Sequence, residues 1–211
     1  MAASLKQEIK PDLIIRPLTP NLWGELERLF GGKGACRGCW CMYWRIGNAY
    51  TKRVGELNRL AFKELVMAGP PPGLLAFAGD LPVGWCQVTP RADLPWLDHT
   101  WRLKRIDDSP VWSISCFFIR IGYRKRGVNS ALIRTALQVA RQAGAPALEA
   151  YPLDAELTPS TSSTGYLTTF THLGFVEVGR HVPPRPIVRY DLTGAVQKGK
   201  CHPEHSEGSP S

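Results

Sequence analysis

Ile119-Arg120-Ile121-Gly122-Tyr123-Arg124-Lys125-Arg126-Gly127-Val128-Asn129-Ser130-Ala131-Leu132 decides how this chain is read. The apolar run from Val111 to Ile121 predicts a strand. It enters a short basic turn, Arg124 to Gly127, and then a segment of helical periodicity. Val128, Leu132, Ala136, Val139 and Ala143 recur at spacings of three and four and define one apolar helix face. A strand, a basic glycine turn and a helix N-terminus together form an anion site. The first helical N–H groups have no partner inside the helix, and the aligned peptide dipoles favour negative charge there. Gly127 permits close backbone approach, and three consecutive cations supply counter-charge.

The charge distribution agrees. The net charge is +8, from 26 basic and 18 acidic residues, with a pI near 9.4. No acidic residue occurs from Ser109 to Leu148, whereas Arg120, Arg124, Lys125, Arg126, Arg134 and Arg141 all do. A basic zone centred on the glycine turn fits a multiply phosphorylated ligand better than it fits a long nucleic-acid-binding stripe.

The turn resembles the acetyl-CoA pyrophosphate cradle of the GNAT acetyltransferase superfamily. That pattern is Gln or Arg, two residues, Gly, any residue, then Gly or Ala. Arg124, Gly127 and Asn129 take its three positions, and Asn129 departs from it. Phe170-Thr-His-Leu-Gly174-Phe175-Val-Glu-Val is similar to the superfamily's last helix running into a "GF" strand. About 180 residues, from Pro11 to Leu192, follow the expected order. The resemblance implies an α/β fold whose mixed, mostly antiparallel sheet has six to seven strands and helices on both faces. The expected division is an N-terminal extension at residues 1–10, the acetyltransferase domain at 11–192 with a Cys- and Trp-rich loop at 31–50, and a disordered tail at 193–211.

By the same resemblance, acetyl-CoA is the acetyl donor. Backbone groups of Phe117, Phe118 and Ile119 would bind the pantetheine arm and face the thioester carbonyl. Arg124, Lys125, Arg126, Gly127, Val128, Asn129 and Ser130 would cradle the pyrophosphate. A lysine-like amine near pKa 10.4 costs roughly 4 to 5 kcal/mol to deprotonate at pH 7, so a proton acceptor matters. Glu149 and Tyr151, two apart on the fifth strand, face one side and are the candidate bases. The superfamily's general acid is a tyrosine four residues before the "GF" glycine. That position is Phe170, and Tyr166, one helical turn earlier, is the substitute.

Other features leave alternatives open. Cys36, Cys39 and Cys41 could supply thiolates to zinc, but a closed site needs a fourth ligand from Cys86, Cys116 or His99, so no metal is expected. Cys116 on the cofactor strand invites a ping-pong route. A regular strand puts it on one buried face with Trp112, Ile114 and Phe118. All seven tryptophans lie between Trp23 and Trp112. They form either core or an aromatic acceptor pocket, the latter able to grip a cation over ring faces. A CoA-binding protein without transfer activity is one rival reading, motivated by Asn129 and Phe170. A basic nucleic-acid module is another. The expectation is a monomer or homodimer acting on a small-molecule amine, with no nucleic-acid or membrane partner. The absence of an export signal and the presence of six cysteines predict free thiols in the cytoplasm.

Overall fold

The computed structural model describes residues 12–35, 38–53, 55–156 and 162–194. The expectations for residues 1–10, for Cys36 and for all but the first two residues of the tail lie outside these.

Seven strands form one sheet in the order β1-β2-β3-β4-β5-β7-β6. They are β1 (Leu13–Pro17), β2 (Gly73–Ala78), β3 (Leu81–Pro90), β4 (Trp112–Ile119), β5 (Ala147–Ala150), β6 (Val176–Val182) and β7 (Arg185–Asp191). Every neighbouring pair is antiparallel except β4 and β5. The helices are α1 (Trp23–Phe30), α2 (Tyr43–Ile46), α3 (Gly55–Ala68), α4 (Trp96–His99), α5 (Val128–Gln142) and α6 (Leu167–Thr171). Among the described residues no helix is long and apolar enough to cross a membrane.

Period-two alternation sends β2 side chains to two separate cores. Leu74 and Ala76 pack with α5, while Leu75 and Phe77 pack with α1 and α3. On α5 the buried positions are Val128, Leu132, Ile133, Ala136 and Ala140. The stripe therefore ends on Ala140, and Ala143, assigned to it from spacing, is exposed. Burying each large aliphatic or aromatic side chain in these layers contributes roughly 1.5 to 3 kcal/mol. Gly84 sets how closely α5 approaches, because a Cβ there would stand 2.7 Å from Val128 Cγ1.

Trp23, Trp40 and Trp85 belong to the core on the α1 and α3 side. Trp40 stacks on Trp23 with centroids 5.9 Å apart and lies 5.4 Å from Phe30. Asn58 of α3 then pins the Cys-rich loop, its Nδ2 donating to the carbonyls of Gly38 at 2.9 Å and Tyr50 at 3.1 Å. The loop is thus held at both ends, and its polar and aromatic residues are presented at a fixed height above the sheet.

Candidate active site

A β-bulge decides which β4 side chains reach the site. Gln87 is opposite Cys116 and Val88 is opposite Ile114, so Ser115 is the extra residue. An inserted residue reverses the facing of everything beyond it. Trp112, Ile114, Phe117 and Ile119 consequently pack on the α5 side, whereas Cys116 and Phe118 pack on the other. The single face expected for Trp112, Ile114, Cys116 and Phe118 is corrected by this slip. Cys116 is delivered to a cavity of about 490 Å³.

The bulge precedes a splay. β4 and β5 are matched only at Trp112–Leu148, Ser113–Glu149 and Ile114–Ala150, after which β4 continues to Ile119 and β5 stops. Arg120 N–H donates to the Val83 carbonyl at 2.9 Å, so by alternation Phe118 also turns its backbone to β3. Phe117 and Ile119 turn theirs to the splay. Of the three residues expected to offer backbone to a cofactor, Phe118 is already committed to the sheet. Phe117 N–H donates to the Ser163 carbonyl at 2.5 Å, so a segment following β5 occupies that position.

At the far end of β4, Gly127 caps α5 with φ of +81° and Lys125 is left-handed at +61°. The first capping bond is Ala131 N–H to the Gly127 carbonyl at 3.0 Å, which leaves the N–H groups of Val128, Asn129 and Ser130 without helical acceptors. Arg124, Lys125 and Arg126 are exposed, and none of them makes an ion pair among the described residues. Asn129 Oδ1 is buried with no hydrogen-bond partner. The turn therefore has donors and cations in surplus, as a diphosphate requires.

Glu149 and Tyr151 do share a face, but Glu149 is neither an exposed strand carboxylate nor open to the cavity. It is 1% exposed. Oε1 accepts from Arg91 Nη1 at 2.9 Å and Tyr151 OH at 2.7 Å, and Oε2 accepts from Arg189 Nη2 at 2.8 Å. Arg189 is the residue opposite Glu149 across the β5–β7 ladder. Arg91 also donates to Asp98 at 2.8 Å, Arg105 to Asp98 at 2.5 Å and Arg189 to Asp107 at 2.7 Å. Three guanidiniums and three carboxylates neutralise one another. Tyr151 is fully buried, and burial followed by the nearby Glu149 charge pushes its phenol well above the usual range. At neutral pH it is a donor, held by Ser113 at 2.8 Å and by Glu149.

This network sets an acid limit. Burial would raise Asp98, but hydrogen bonds from Arg105 and Arg91 outweigh it and hold the carboxyl at about 2, against an ordinary 3.8. A depressed carboxylate stabilises the fold above its unfolded pKa and loses that contribution as pH falls through the folded value. The urea midpoint is expected to decline between about pH 4 and pH 2. A midpoint unchanged across that window would show that the network does not contribute to stability.

Tyr166, the candidate acid, is the N-cap of α6 and does not line the cavity. Phe170 is wholly buried, edge-on to Phe175 at 5.1 Å. The cysteines take different positions. Cys39, Cys41 and Cys116 line the cavity, and Cys86 lies in the α5-side core. Cys41 receives Trp85 Nε1 at 3.1 Å. Its thiol is pushed well up by hydrogen bonding with Cys116 and by burial. Among the described residues no group of three or more Cys, His, Asp or Glu is arranged to hold a metal ion.

A family model described as "Acetyltransferase (GNAT) family" matches residues 40–160, more than half of the chain. The chain belongs to the GNAT acetyltransferase family. Similar solved structures carry the same fold. A GNAT-family acetyltransferase from Listeria monocytogenes is 11% identical over 85% of this chain and 94% of its own, with a TM-score of 0.52. A GNAT-family acetyltransferase from Streptococcus pneumoniae is 16% identical over 85% and 99%, at 0.50. An N-acetyltransferase from Staphylococcus aureus Mu50 is 13% identical over 86% and 99%, also at 0.50. No curated protein matches the sequence. In this GNAT protein, sequence reasoning did not identify Arg91, Gln87, Arg102, Arg185 and Arg189 as site residues. For Arg91 and Arg102 the sequence signal was the density of charge between Pro90 and Asp108.

Proposed function

We propose that the protein transfers the acetyl group of acetyl-CoA to the amine of a small molecule, by direct attack with both substrates bound. One arrangement carries this reading: the unsatisfied N-terminus of α5, behind three exposed cations, adjoins a β4–β5 splay bordered by the cavity. The diphosphate sits on the N–H groups of Val128, Asn129 and Ser130, with Arg124, Lys125 and Arg126 around it. The pantetheine arm follows β4, where Ile119 N–H faces the splay. The Ser163 carbonyl on Phe117 stands where an amide carbonyl of that arm would be, and it gives way on binding. The acceptor enters the cavity from the side of Cys39, Trp44 and Tyr50.

We assign Glu149 to holding Tyr151, Arg91 and Arg189 in place, since all of its close partners are donors and, of them, only Tyr151 lines the cavity. Tyr151 remains a phenol and orients the acceptor's surroundings. The ammonium proton leaves to water in the cavity. Direct attack needs the two reactants held in contact, and the splay supplies that proximity.

Isothermal titration with acetyl-CoA tests the cradle. Wild-type protein is expected to bind, and the Arg124→Ala/Arg126→Ala double variant to bind about tenfold or more weakly, since each lost partner was a charge-assisted donor. Failure of wild-type protein to bind acetyl-CoA would end the acetyltransferase reading. Phe170, which has no hydroxyl, favours a second reading in which CoA binds without transfer. Binding with no CoA release across an amine panel would establish it.

A further inference from the structure

The cavity wall divides by chemistry. Tyr43, Trp44 and Tyr50 form an aromatic corner, with Tyr43 edge-on to Trp44 at 4.6 Å and to Tyr50 at 5.5 Å. Arg102 and Arg185 also line the cavity, and no aspartate or glutamate does among the described residues. These two cations stand outside the self-neutralised Arg91–Glu149–Arg189 network. Among the described residues Arg185 donates to hydroxyls, Thr164 Oγ1 at 2.8 Å and Ser162 Oγ at 3.4 Å. Arg102 lies over the Trp101 ring at 6.0 Å. Burial, and then the charge of Arg102, lowers the Arg185 pKa from its ordinary value. Two guanidiniums lining one cavity without a carboxylate leave a positive potential in it.

We propose that this cavity takes an acceptor amine bearing an anionic oxyacid group, carboxylate or phosphate, on an apolar or aromatic body, and that Arg102 and Arg185 bind that anion. The proposal rests on the acetyltransfer reading and names the acceptor class for it. A guanidinium presents a planar fork of donors that matches either oxyacid. The same potential repels a polyamine, so the cation-gripping role considered for the aromatic residues does not fit this wall. It also lowers the proton affinity of the acceptor's own ammonium. A cavity without a carboxylate base can therefore still present a neutral amine at the thioester.

The test uses purified full-length protein with acetyl-CoA, reading CoA release by chromatography. Phenylalanine is compared with phenylalaninamide, and O-phosphoethanolamine with ethanolamine, so the two pairs separate carboxylate from phosphate. In at least one pair the anionic member is expected to have a kcat/KM about tenfold or more above its neutral partner. Arg102→Gln and Arg185→Gln should each bring that ratio towards one, while Arg185→Lys retains part of it. Arg102 is exposed, so its variant isolates the charge from folding.

A second readout needs no turnover: equilibrium binding of 3-phenylpropanoate against 3-phenylpropanamide in the presence of CoA. The acid is expected to bind at least about tenfold more tightly, and the two Gln variants to lose that margin. Acetylation of the neutral amines at equal or higher efficiency would overturn the anion site and leave the transferase standing. Acid-selective binding without acetylation of any amine would retain the anion site and remove the transferase reading. Equal binding of acid and amide, or binding of neither, together with no preference for O-phosphoethanolamine over ethanolamine, would overturn the proposal.

Discussion

Glu149→Ala is expected to lower stability by about 3 to 5 kcal/mol, because it leaves Arg91 and Arg189 in the interior without their shared counter-charge. Arg91 is 6% exposed and Glu149 1%, so neither guanidinium nor carboxylate has water to fall back on there. For a chain of this size the thermal midpoint would drop by about 10 °C. Glu149→Gln keeps the volume and removes the charge, and it should lose a large part of the same stability. Both variants, studied well below their midpoints, should still bind acetyl-CoA, since the α5 cradle lies at the other end of β4. The informative contrast is stability against rate. A Gln variant with wild-type stability but CoA release slowed a hundredfold or more would make Glu149 the base and displace the role assigned above.

Trp40→Ala is expected to cost a further 3 to 5 kcal/mol, the usual range for removing a buried indole. Trp40 is 1% exposed and joins Trp23, Phe30 and the Cys-rich loop in one packed unit. It also adopts φ of +44°, a left-handed conformation that a bulky residue holds only when its surroundings fix it. Its loss should loosen the loop that supplies Cys39, Cys41, Tyr43 and Trp44 to the cavity. Acceptor KM should therefore rise more than acetyl-CoA affinity falls. Denaturant unfolding followed by titration with acetyl-CoA checks both parts. Trp40→Phe, which retains a ring, should recover more than half of the stability.

The strand, turn and helix around Gly127 were legible because their determinants are local: an apolar run, a glycine and a 3.6-residue period. The "GF" segment was legible for the same reason. Ser115 was not. Its bulge has no glycine or proline to announce it, and an apolar run reads as one regular strand whether or not a residue is inserted. That single slip reassigned Cys116 and Phe118. The Glu149 network was illegible for another reason. Its partners lie 58 residues upstream, at Arg91, and 40 downstream, at Arg189, and only the finished sheet brings them together. The tryptophans divided as their size predicts. Trp23, Trp40 and Trp85 fill the interior, Trp101 is exposed, and of the seven only Trp44 lines the cavity.

The β4–β5 junction has a mechanical meaning. β3 and β4 are matched at seven positions and β5 and β7 at four, but β4 and β5 at only three. The sheet is thus two stiff plates meeting along a short joint, and that joint runs through the cleft. The most sparsely paired line in the sheet is where a ligand would lie. A molecule lodged there braces both plates, so stiffness on either side of the joint is coupled to occupancy of the cleft.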